Sequence, residues 1–131
     1  MDQIESTNAF SREFLEKLSI LKQERAKAVA DLSASGRTDE ARFSRIQMNI
    51  VEIFEKMYHA SVKMSPSQEH LETIGKSYMS YFETIPKNWQ LALEEAKQFG
   101  NHEAVHIETL KLAQAEAIKT MFVEALSRIK S

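Results

Sequence analysis

Apolar residues recur along this chain at steps of three and four, the spacing that gathers side chains on one side of a helix. From Thr7 to Ala34 the stripe is Phe10, Phe14, Leu18, Leu21, Ala28, Val29 and Leu32, which predicts a first helix. Gly36 suits the left-handed position just past a helix end, and Thr38 suits the cap of the next helix. A second helix follows from Asp39 to Met64, with Phe43, Ile46, Ile50, Ile53, Phe54, Met57 and Met64 as its stripe. Ser65-Pro66-Ser67-Gln68 joins a capping Ser, a Pro at the first helical position and a Gln three residues after the cap, so a third helix should start at Pro66.

Pro86 interrupts that third pattern without disturbing its phase. At about 100° per residue, Leu71, Ile74, Tyr78, Phe82, Ile85, Trp89, Leu93, Ala96 and Phe99 stay within one arc. Unrelated helices have no reason to keep a common phase, so the pattern predicts one helix from Pro66 to Phe99, kinked where Pro removes a backbone bond. The alternative is five helices, broken at Pro86. Gly100 as a stop and Asn101 as a cap place the last helix from His102 to Lys130. No stretch alternates at period two over strand length. Short turns make successive helices antiparallel neighbours, so the expected fold is all-α: a four-helix up-down-up-down bundle with a Pro-kinked third helix, forming a single domain over residues 1–131.

Composition narrows the function classes. Only three Gly and two Pro interrupt the chain, as long helices require, and 131 residues suit one core. A net charge of −2 gives no general attraction to phosphate backbones or anionic membranes. Arg37, Arg42 and Arg45 surround the first turn, but Asp39 and Glu40 sit among them, so neither nucleic acid nor membrane is an expected partner. Cysteine is absent, which removes disulfides and thiolate chemistry. An acidic, polar start and no long apolar run make the cytoplasm the expected location.

Candidate chemistry centres on the start of the last helix. His102-Glu103-Ala104-Val105-His106 has the form H-E-x-x-H, in which imidazoles one turn apart can bind zinc and the Glu can serve as general base. A third ligand would have to come from Asp31, Asp39 or Glu40 across the turn. Glu103 with His106 also forms Glu-x-x-His, the element that di-iron bundles use on two helices, but this chain has it once. His59 and His70 lie at the opposite end of the bundle. The preferred reading of the pentapeptide is a capped, solvated helix start with no metal, zinc or iron remaining the alternative.

Three further features invite a role. Arg25 falls on the apolar side of helix one and needs an acceptor, for which Gln47 and Glu103 are the candidates in a buried polar cluster. On the last helix Ile107, Leu110, Ile118, Met121, Ala125 and Ile129 supply a core face, with Phe122 and Leu126 widening it. Val105, Leu112 and Val123 form a second apolar side, which suggests a homodimer or another protein partner. Tyr78, Tyr81, Phe82 and Trp89 flank the kink and could line a pocket there, although aromatic residues at helical spacing more often fill a core. The leading expectation is a non-enzymatic helical-bundle interaction protein. The alternatives are a metal-dependent enzyme at His102, Glu103 and His106, and a small-molecule sensor near Pro86.

Overall fold

The computed structural model describes residues 3–64 and 71–130, with side chains described for 5–64 and 71–129. The chain forms α1 (Gln3–Ala34), α2 (Thr38–Met64), α3 (Leu71–Thr84), α4 (Pro86–Gln98) and α5 (His102–Lys130). These make the four helices of an all-α fold, with α3 and α4 as two pieces of the third. No strand occurs among the described residues. The capping sequence Ser65 to Gln68, the helix start at Pro66 and His70 lie outside the described residues.

Both glycine stops act as expected from their position. Gly36 adopts φ +76° and Gly100 φ +65°, where a side chain would be strained. Around each, the chain closes the same pair of bonds: Gly36 N–H to the Ser33 carbonyl with Arg37 N–H to that of Leu32, and Gly100 N–H to Lys97 with Asn101 N–H to Ala96. Those bonds satisfy carbonyls that the helix ends leave without donors. Thr38 is itself the first residue of α2, so the helix starts one residue before the expected Asp39.

At Pro86 the backbone stays helical although its bonding is broken. Ile85 has φ −65° and ψ −45°, and its N–H still reaches the Tyr81 carbonyl at 3.0 Å. Pro86 has no N–H to give the Phe82 carbonyl, and its ring crowds that oxygen. The apolar phase survives because the dihedrals do. The two pieces nonetheless pack differently: α3 lies against α2 and more lightly against α5, whereas α4 lies along α5.

Successive helices run antiparallel, as their ring contacts record. Phe54 meets Phe82 and Tyr58 meets Tyr78 across α2 and α3, while Phe43 meets His106 and Tyr58 meets Phe122 along the parallel α2 and α5. The core is a knot of seven buried aromatic side chains: Phe10, Phe14, Phe54, Tyr58, Tyr78, Phe82 and Phe122. Tyr78 stands in its middle, with centroids of Phe14, Phe54, Tyr58, Phe82 and Phe122 all between 4.9 and 6.4 Å away. Full burial of one such side chain stabilises the fold by roughly 1.5 to 3 kcal/mol. Polar tips are satisfied inside the knot: Tyr78 Oη donates to the Phe54 carbonyl at 3.0 Å, and the Tyr58 hydroxyl shares a 2.7 Å hydrogen bond with Ser11 Oγ.

This knot occupies one end of the bundle. Gly75 lets α5 come close there, so that a Cβ at this position would lie 3.7 Å from Leu126 Cδ2 and 3.8 Å from Phe122 Cζ. Toward the other end the seams are made by small buried residues, Ala41 and Ser44 of α2 and Ala96 of α4. After Leu18, α1 has no buried side chain at all, and Leu21, Ala28, Val29 and Leu32 are only half-buried. Three residues expected to face inward end up exposed: Met64 (71%), Phe99 (77%) and Ile129 (50%). Each lies within two residues of a helix terminus.

Candidate functional site

The start of α5 is a capped helix end whose charged groups are already engaged. Asn101 Oδ1 accepts the Ala104 N–H at 3.1 Å, which turns the chain into the helix directly before His102. One carboxylate oxygen of Glu103 accepts from Arg42 of α2 at 2.6 Å, with both side chains more than half exposed. His106 presents its ring edge-on to Phe43, centroids 4.5 Å apart, and His102 is exposed. Of the potential third ligands, Glu40 is paired with Arg37, while Asp31 and Asp39 are exposed. Among the described residues no three His, Asp or Glu side chains converge to hold a metal ion. Two imidazoles on one face with no third donor do not make a zinc or di-iron centre.

Arg25, Gln47 and Glu103 are not gathered into one cluster, because Arg42 holds Glu103 at the surface. Arg25 and Gln47 are both half-buried. Arg25 nevertheless belongs to a polar interior. On α1 the line of core positions passes from Leu18 to Arg25 two turns later, and on α5 it passes from Ile118 back to Gln114 and Lys111. Gln114 is only 4% exposed. Lys111 bonds Glu108 at 3.1 Å, yet three buried polar atoms, Arg25 Nε, Glu108 Oε2 and Gln114 Oε1, have no partner among the described residues. Between α1 and α2, Lys22 reaches Glu55 at 2.9 Å, and that hydrogen bond holds the Lys22 ammonium in its charged form above its ordinary pKa. Sequence periodicity contained the signal for Gln114, which falls between Leu110 and Ile118 at four-residue steps, but stripe counting passes over polar residues on the core line.

The second apolar side of the last helix has a neighbour within the chain over part of its length. Val105 and Leu112 are half-buried, and Leu112 lines a cleft against α4; Val123, farther along, is exposed. The neighbour on this side is α4, the piece that follows Pro86.

That cleft has a volume of about 440 Å³, within the range of small-molecule sites. Phe82, Leu93 and Ala115, all buried, form its floor, and Pro86 borders it. Of the four aromatic residues expected around a pocket at the kink, only Phe82 lines this cleft. Tyr78 is in the core; Trp89 and Tyr81 are half-buried and pack against it. Gly75, Met79 and Leu126 border a shallower groove between α3 and α5 of about 360 Å³.

No helix among the described residues is long and apolar enough to cross a membrane. No family model, curated protein or solved structure matches this chain.

Proposed function

We propose that this chain is a non-enzymatic helical-bundle interaction protein that associates with a second copy of itself, a helix of another protein being the alternative occupant of the same surface. The observation that carries the reading is the uneven burial along α1. Its apolar stripe runs the whole length of a 32-residue helix, but nothing after Leu18 is buried. Leu21, Ala28, Val29 and Leu32 thus keep part of their apolar surface in water, and covering it is favourable by roughly 25 cal/mol per Å².

Light scattering across micromolar concentrations tests this. The expected mass is twice the 15.0 kDa of one chain. Leu32→Glu should return it to the single-chain value, with the far-ultraviolet dichroism of the bundle retained. A single-chain mass for the wild type at every concentration up to the submillimolar range contradicts self-association.

A further inference from the structure

The cleft between α4 and α5 combines an apolar floor with one uncommitted cation. Two of the four polar side chains on its rim are occupied within their own helices: Thr109 Oγ1 donates to the Val105 carbonyl at 2.7 Å, and the Gln90 amide donates to Glu94 at 3.3 Å. Lys119 is different. It is half-buried against the cleft and makes no ion pair among the described residues, whereas Lys22 and Lys111, the comparably covered lysines facing the helix seams, each hold a carboxylate. Glu116 also borders the cleft without a partner, but it is exposed and so remains hydrated. A lysine whose stem lies along apolar surface holds its ammonium at the edge of that surface, where an anion placed beside it can pair with it.

We infer that this cleft binds a small amphiphile with an apolar body and an anionic head. The body lies on Phe82, Leu93, Leu112 and Ala115, and the head pairs with Lys119. Pro86 borders the site: the bonding of α3 ends there, the chain continues as α4 along α5, and a cleft of about 440 Å³ stays between α4 and α5. Size and shape favour a single medium-length chain or a small fused-ring acid over a sugar or a nucleotide, for which the floor supplies no hydrogen-bonding groups. This site is separate from the surface of α1 and does not depend on self-association.

Decanoate and decanol serve as probes, since they share a body and differ in the head. Their binding is followed by titration calorimetry and by the emission of Trp89, the only tryptophan, which lies on α4. The expected result is saturable one-to-one binding of decanoate. Lys119→Gln should weaken decanoate by roughly threefold to tenfold and leave decanol unchanged. Glu116→Gln should strengthen decanoate slightly. Ala113→Phe, at an exposed position on the cleft wall, should abolish binding of both probes while thermal unfolding stays cooperative. Vesicles of phosphatidylglycerol distinguish a free amphiphile from a membrane surface, and the protein should not sediment with them. The inference is overturned if decanoate does not saturate, if Ala113→Phe binds as the wild type does, if Lys119→Gln affects both probes equally or neither, or if the protein sediments with the vesicles.

Discussion

Replacing Tyr78 by Phe removes one oxygen from the middle of the aromatic knot, and its effect should change sign with pH. Near neutrality the variant loses the 3.0 Å hydrogen bond to the Phe54 carbonyl, an oxygen that remains engaged within α2, so the cost is about 1 kcal/mol. Above the ordinary tyrosine pKa of 10.0 a second effect opposes the first. Burial pushes the Tyr78 phenol far above that value, and the nearby Tyr58 and Glu55 push it the same way. The folded protein therefore keeps this proton while the unfolded chain releases it. Stability from a raised pKa is complete below the unfolded value and drains away as pH rises beyond it, here by about 1.4 kcal/mol per unit. Tyr78→Phe has no such loss. Tyr58, raised by burial against the lowering effect of its bond to Ser11, is present in both proteins and largely cancels from the comparison. The two stability curves should cross between roughly pH 10.5 and 11, where the wild-type loss equals the missing bond. Urea unfolding followed by dichroism at half-unit steps from pH 8 to about 11.5 measures this, provided the denaturant slopes agree. Parallel curves over that range would refute a buried, protonated Tyr78.

Two further substitutions test the packing. Phe122→Ala, at a side chain with no exposed surface and rings of Phe10, Phe14, Tyr58 and Tyr78 around it, should cost about 3 to 5 kcal/mol in urea unfolding. Gly75→Ala should instead stabilise by about 0.5 to 1 kcal/mol, because its Cβ meets Leu126 and Phe122 at ordinary contact distance and the helix gains from losing a glycine. A destabilised Gly75→Ala would show that α3 and α5 approach more closely than described.

Much of the architecture was readable from periodicity, and the failures have physical causes. The phase argument across Pro86 succeeded because Ile85 stays in the helical region. Which neighbour each piece would meet was not readable, since a stripe says that a face is covered but not by what. Phe122 shows this most plainly. Periodicity set it at the margin of the core face, yet it is central, because α5 runs beside α2 at both ends but meets α4 in its first half and α1 and α3 near its end, so its buried side rotates along its length. For the same reason Leu112, read as part of a free second face, looks into a cleft against α4. Glu103 is a candidate acceptor for Arg25 by its place toward the apolar side of the last helix, but α2 and α5 start side by side and Arg42 reaches it first. The H-E-x-x-H spacing was visible in the sequence; whether a third donor would come near was a question of helix order, on which spacing is silent.

The proposed self-association requires that the half-covered apolar face on the far half of α1 be closed by a partner. Amide hydrogen exchange along α1, measured at low and at high protein concentration, tests this most directly. The account predicts that residues 10–18, packed in the aromatic knot, exchange slowly at both concentrations, and that residues 21–34 exchange faster when dilute and slow markedly when concentrated. Protection that is uniform along α1 and independent of concentration would contradict it.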